Sequence, residues 1–339
     1  MKYIVCETPQ QFTLKEKAAP SFEANEALLQ IKTIGICGTD LHAYAGNQAF
    51  FTYPRILGHE LGAQVMATGK AVDNVHSGDR VVIMPYLSCM ECIACRSGKT
   101  NCCTNIKVLG VHTDGGMQEQ IAVPSDILLP VNDLSYEAIA IIEPLAIGAH
   151  AIRRANLEKG EYIVVIGCGP IGLGIMKLAQ IQGAKVIAVD VVASRLQFAK
   201  EQIGVEHTVN ALENPVAAIS AITNGDLATA VFDASGNKRA LERGTDYMAH
   251  GGRYVLVGLS KGDLTFSHPA IHAKETTLMC SRNATTADFE LVIESLRTGR
   301  FPVDAFVTHQ VAFEDMIAHF DGWLNPEAGV IKAMVRINQ

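Results

Sequence analysis

Four cysteines stand close together at Cys89, Cys92, Cys95 and Cys103, two residues apart for the first three and seven before the last. Thiolates spaced this way can turn onto one centre while a short loop returns the fourth, which is how a closed, structural tetrahedral zinc site is built. Cys102 adjoins Cys103, and the spacing favours Cys103 as the fourth donor. Further candidate donors lie in Cys37-Gly38-Thr39-Asp40-Leu41-His42, Gly58-His59-Glu60 and Glu143-Pro144. Cys37, His59 and a carboxylate offer soft, borderline and hard donors, so one position can stay open for water or substrate. Singly, each has a plainer reading. Cys37 can be a small buried hydrophobe, His59 a satisfied core histidine, and Glu143 an acid favoured in the first turn of a helix. Taken together, and beside the features below, they point to a reactive metal centre separate from the closed one.

A third constellation is Gly167-Cys168-Gly169-Pro170-Ile171-Gly172. The first glycine permits a tight turn, the second lets backbone approach a pyrophosphate, and the third allows close helix–strand packing. Asp190 follows Gly172 by eighteen residues, at the end of the next apolar run. A carboxylate there accepts hydrogen bonds from the ribose hydroxyls of NAD and repels the 2′-phosphate of NADP. Arg195 is a nearby cation that could tolerate a phosphate, yet Asp190 favours NAD. The plainer reading is a glycine-rich turn without a ligand. Its context of strand, turn, helix and acidic residue argues against that.

The elements that must carry these residues fall into two textures. Up to about residue 148, short apolar pieces such as Ala27–Lys32 and Arg80–Met84 alternate with Gly, Pro, Asn and Asp. From about 160 the pattern predicts strands at Tyr162–Ile166, Val186–Asp190, Ala228–Asp233 and Arg253–Val257, with helices at Ile171–Gln182 and Ser194 to about Ile203. Strands alternating with helices mean an α/β, doubly wound parallel sheet. The last fifty or so residues mix helix and strand and are expected to complete the first domain. The expected division is 1–148 with 288–339, including a cysteine lobe at about 86–106, against 149–287.

At 339 residues about two domains are expected, and 48% hydrophobic against 19% charged residues excludes a disordered chain. A net charge of −7 argues against a nucleic-acid or anionic-membrane partner. No secretory signal follows Met1, and no apolar stretch is long enough to span a membrane. Nine cysteines without a signal favour thiols and metal ligands, hence a cytoplasmic setting.

The ordered set of motifs resembles the zinc-dependent medium-chain alcohol and polyol dehydrogenases over essentially the whole chain. Such enzymes have a GroES-like catalytic domain and a Rossmann domain, with the active site in the cleft between them. Glu60 and Glu143 look like the polyol and sorbitol branch. Gly46-Asn47-Gln48, Lys99 to Cys103 and Ser281-Arg282-Asn283-Ala284-Thr285 resemble bacterial sugar-acid 5-dehydrogenases, which act on L-galactonate or L-gulonate. One departure is Ala63, where such chains usually carry glycine; it removes no ligand.

The resemblance implies a catalytic zinc on Cys37 and His59, with Glu60 and Glu143 as ligands that exchange with water or lie just outside. It implies Thr39 and His42 as a proton relay and Asp40 as the residue orienting His59. It implies two zinc ions per chain, NAD, a small hydroxy-acid substrate, and a homodimer or homotetramer formed by pairing the edges of cofactor sheets. Motif proximity makes Arg282, Arg55, Lys107 and His112 candidates for the substrate carboxylate, with Arg282 preferred. The alternatives are a polyol or L-threonine dehydrogenase, a nucleic-acid-binding zinc protein and a zinc-free quinone reductase. Glu91 beside Arg96 and Lys99 in the cysteine lobe argues against a basic binding face. Retained Cys37, His59 and the lobe argue against a zinc-free enzyme.

Overall fold

The computed structural model describes residues 1–48 and 51–337. The expected catalytic domain ran to residues 338 and 339, which lie outside the described residues. The chain divides into two compact units, one of Met1–Pro144, Thr285–Thr298 and the chain from Val303, the other of Leu145–Ala284 and Gly299–Pro302.

The first unit is built on a sheet of seven strands. Its spatial order is Val307–Ala312, Lys332–Arg336, Glu26–Ile36, Glu60–Thr68, Arg80–Ile83 and Leu128–Pro130, with Gln120–Pro124 also on Glu26–Ile36. Val307–Ala312 and Lys332–Arg336 run parallel; the remaining pairs are antiparallel. Strands from both ends of the sequence thus meet in one sheet. Inward side chains such as Leu29, Ile31, Ile34, Leu57, Val81, Phe313 and Phe320 form its core. Burial of such apolar surface is the main stabilising term. Ala63 is fully buried and pairs with Ile31 and Val81. The ladder to Glu26–Ile36 slips by one residue between Ile31 and Thr33, opposite that alanine.

Two short strands, Tyr86–Leu87 and Lys107–Val108, pair as a ribbon. Residues 88–106 hang from it as the cysteine lobe. Two helices follow later in this stretch, Tyr136–Ala140, capped by the Ser135 side chain, and Ile142–Ala155.

The second unit holds a six-stranded parallel sheet ordered His207–Asn210, Lys185–Asp190, Tyr162–Ile166, Ala228–Asp233, Met248–Leu256 and Thr277–Cys280. Both faces of its central strands are buried, so they read as continuous apolar runs rather than alternating ones. The helix expected from Ser194 is α-helical over Ala193–Phe198 and continues as a π turn over Ala199–Ile203. The strand expected at Arg253 begins at Met248 instead. Gly251, at φ +73°, and Gly252 lie where its register shifts, so the early half is hidden behind a bulge. No helix among the described residues is long and apolar enough to cross a membrane.

Candidate metal centre and cofactor turn

Cys37 stands at the start of the helix Gly38–Tyr44, directly after the strand Glu26–Ile36. The carboxylate of Asp40 reaches back one turn and accepts the Cys37 N–H at 2.9 Å. Its other oxygen accepts the N–H of Gly58 at 3.2 Å and lies 3.7 Å from Nδ1 of His59. One buried aspartate therefore ties together the two segments that carry Cys37 and His59. At 3.7 Å its contact with the imidazole is longer than a hydrogen bond. Burial raises the Asp40 carboxyl above its usual range, opposed by His59. Burial alone would lower the His59 pKa, but Asp40, Cys37 and Glu143 together hold it well above the usual value.

The donor atoms of Cys37, His59 and Glu60 all lie within 4.8 Å of one another. Glu60 opens the strand Glu60–Thr68 and is fully buried. It fits because its neighbour across the ladder is Gly35, where a Cβ would lie 2.2 Å from Glu60 Oε2. Lys332 Nζ donates to both Glu60 oxygens, at 2.7 and 2.6 Å, and to the Ile36 carbonyl at 3.1 Å. This lysine is 1% exposed. Burial would lower its pKa, yet Glu60 and its other acidic neighbours hold it raised.

Glu143 lies outside that trio but close enough to interact electrostatically with His59 and Glu60. It is buried in the first turn of the helix Ile142–Ala155. Oε1 accepts the Tyr86 hydroxyl hydrogen bond, while Oε2 is buried without a hydrogen-bond partner. Burial pushes its pKa up to about 7, with Glu60 adding to the rise and His59 opposing it. Thr39 is half-buried and His42 exposed, three residues apart on the same short helix.

In the lobe, the sulfurs of Cys89, Cys92, Cys95 and Cys103 also lie within 4.8 Å of one another. Cys92 and Cys95 sulfurs are 3.5 Å apart, those of Cys89 and Cys103 3.4 Å. A disulfide would need about 2.05 Å, whereas tetrahedral bonds of about 2.3 Å to one zinc set sulfurs about 3.8 Å apart. Backbone N–H groups of Cys89 and Asn105 donate to Cys103 sulfur, at 3.2 and 3.3 Å. Cys102 is exposed and outside the cluster.

In the second unit, Gly167 follows the strand Tyr162–Ile166 with φ +97°. Gly169 caps the helix Pro170–Ile181, and Pro170 occupies its first turn. A Cβ on Gly172 would lie 1.8 Å from the Gly167 carbonyl oxygen, so the helix can close on the turn only with glycine there. A Cβ on Gly169 would meet nothing within 4 Å, which leaves a cradle beside the helix N-terminus. Ile171 continues that first turn. Asp190 accepts the N–H groups of Cys168 at 2.6 Å and Val192 at 2.9 Å, which fixes its carboxylate beside the turn. Arg195 is half-buried on the helix Ala193–Phe198.

Of the candidate carboxylate binders, Arg282 is exposed in the second unit. Arg55 pairs with Asp114 at 3.4 Å and donates to Thr52 at 3.1 Å. His112 accepts the Val108 N–H at 3.1 Å, and Lys107 is exposed on the ribbon.

Residues 23–133 match the alcohol dehydrogenase GroES-like domain, and residues 170–298 match the zinc-binding dehydrogenase family. The L-galactonate-5-dehydrogenase of Escherichia coli (strain K12) is 40% identical over 335 residues, covering 99% of this chain and 98% of that one. The chain belongs to the zinc-type medium-chain dehydrogenases. Sorbitol dehydrogenase of Bacillus subtilis (strain 168) is 31% identical over 348 residues, covering 100% of this dehydrogenase and 98% of its own length. A solved alcohol dehydrogenase from E. coli CFT073, complexed with NADH, superposes with a TM-score of 0.93 at 30% identity, covering 99% of each chain. The dehydrogenase thus has a GroES-like unit and a Rossmann-type sheet, and its relatives are named dehydrogenases acting on CH–OH groups.

Both donor sets suit zinc. The lobe offers four cysteine sulfurs within 4.8 Å of one another. The second set crowds the Cys37 thiol and three carboxylates, from Asp40, Glu60 and Glu143, around His59 and one buried cation, Lys332. The orphaned Oε2 of Glu143 is a further donor waiting for a cation. Lys332 and Tyr86 were not singled out from sequence. A lysine inside the apolar run Val330 to Val335 is a signal of a buried counter-charge. Tyr86 carried no comparable signal.

Proposed function

We propose that the dehydrogenase oxidises a secondary hydroxyl of a sugar acid, L-galactonate or L-gulonate at C5, to a keto-acid with NAD. The observation that carries this is the full-length similarity to L-galactonate-5-dehydrogenase, on a chain that also has the metal donors and the dinucleotide turn. Two zinc ions per chain complete the reading, one in the lobe and one at the reactive site.

Cys37 and His59 would hold the reactive zinc, with Glu60 and Glu143 as carboxylate donors that exchange with water or lie just outside. Bound there, zinc would supply Lewis acidity towards the substrate hydroxyl. Gly167, Gly169, Pro170, Ile171 and Gly172 seat the pyrophosphate, and Asp190 accepts from the ribose hydroxyls, with Arg195 at the rim. NAD, when bound, would supply the two-electron hydride acceptor for oxidation of the carbinol carbon. Thr39 takes the hydroxyl proton and passes it to His42, whose exposure lets it reach water. Arg282 pairs with the substrate carboxylate.

The test is an NAD-reduction screen over hexonates, polyols and amino acids with product identification, run on wild type and Arg282→Ala. L-galactonate or L-gulonate should give the highest kcat/KM. Arg282→Ala should lower it by about 10-fold or more, the worth of a charged hydrogen bond, and leave neutral polyols unaffected. Preferred turnover of a polyol or L-threonine would overturn the sugar-acid reading in favour of that substrate class.

A further inference from the structure

Two carboxylates, Glu60 and Glu143, face one buried lysine beside the candidate metal donors. Lys332 binds both oxygens of Glu60 and also interacts electrostatically with Glu143. Glu143 is held by Tyr86, whose hydroxyl donates to Oε1 and leaves Oε2 without a hydrogen-bond partner. We propose that Tyr86 is the positioning residue of Glu143: it occupies one carboxylate oxygen and so holds the other towards the reactive metal. This rests on the reading of Cys37, His59 and the two glutamates as the donors of that metal.

Two features make Tyr86 suited to the role. Its ring is fixed by Phe289, met edge-on with centroids 6.3 Å apart and planes at 77°, and Phe289 is fully buried. Its backbone is fixed by pairing with Val108 at the root of the lobe. The backbone of Glu143 is set in turn by the helix Ile142–Ala155, leaving side-chain torsions as the freedom that the hydroxyl removes. A donor that orients a ligand in this way is worth about 10–100-fold in metal affinity.

The experiment uses the full-length, zinc-loaded protein and Tyr86→Phe, which deletes one hydroxyl and keeps the ring against Phe289. Zinc release to a competing chelator, and the absorption bands of protein carrying cobalt(II) at the reactive site, are compared with wild type. Tyr86→Phe should release the reactive-site metal about 10–100-fold more readily and alter the cobalt bands, while the lobe metal and NADH binding stay as in wild type. A merely structural tyrosine would change neither signal. Wild-type retention and bands in Tyr86→Phe overturn the proposal. Glu143→Gln keeps the fold testable by a second route: if it too retains the metal as wild type does, Glu143 is no donor and the proposal falls. Cys37→Ser separates this from the underlying reading. It should lose one of two metals; retention of both would sink the donor assignment itself, and the role of Tyr86 with it.

Discussion

Replacing Lys332 with methionine tests the most demanding electrostatic arrangement in the fold. Lys332 makes three hydrogen bonds, two to Glu60 and one to the Ile36 carbonyl, with side-chain exposures of 2% for itself and 0% for Glu60. Methionine fills a similar volume without charge. Glu60 is then a buried carboxylate without its cation, a loss of about 3–5 kcal/mol, and the freed carbonyl adds about 1 kcal/mol. A total of about 4–6 kcal/mol is a large part of the roughly 5–15 kcal/mol that holds a typical protein folded. Glu60→Gln together with Lys332→Met removes both charges and should recover most of it. The exposed pair Arg297–Asp133, at 2.8 Å, is the contrast: Arg297→Ala should cost at most about 1 kcal/mol. The assay is denaturant unfolding of chelator-treated protein, with hydrogen exchange in Lys332–Arg336 as a local reporter. If Lys332→Met unfolds within about 1 kcal/mol of wild type, or the double variant is no better than the single one, the ion pair does not hold the unit together as argued.

Two further predictions follow from the site. Burial lifts Glu143 to about 7, above the 4.5 of a free side chain. Between those values the folded, metal-free protein holds a proton that the unfolded chain has lost, so stability should fall as pH rises from about 4.5 to 7, by roughly 3 kcal/mol, then level off. Glu143→Gln should flatten that slope in denaturant titrations across pH; an unchanged slope would place its origin elsewhere. Gly172→Ala puts a methyl 1.8 Å from the Gly167 oxygen. It should cost about 1–3 kcal/mol by overpacking and weaken NADH binding in a fluorescence titration with metal content unaltered; wild-type NADH affinity would refute the close-packing role of that glycine.

The candidate metal donors and the candidate cofactor turn could be picked out because such chemistry dictates residue types at short spacing. Four thiols within fifteen residues, or three glycines within six, leave few other readings. The two elements that set the carboxylates were not legible, for different physical reasons. Lys332 meets Glu60 across 272 residues, and that partnership is made by sheet order rather than by any local pattern. Tyr86 acts through a hydroxyl direction that depends on a two-residue ribbon, too short to announce itself by alternation. The strand from Met248 was read late because glycines at its bulge look like the turn that precedes a strand. The parallel sheet was read with most of its strands in place, since burial on both faces writes apolar runs into the sequence.

The order in which the chain is made has a consequence for how this protein comes to be folded. Domains generally fold as units, the earlier one first as synthesis proceeds. Here the first unit waits for a late segment, because the strand holding Lys332 lies inside its sheet, next to the edge, between Glu26–Ile36 and Val307–Ala312. Glu60 leaves the ribosome without its cation and gains it only after the whole parallel-sheet unit has emerged. The strand that brings Lys332 to Glu60 is therefore among the last parts of the first unit to be made.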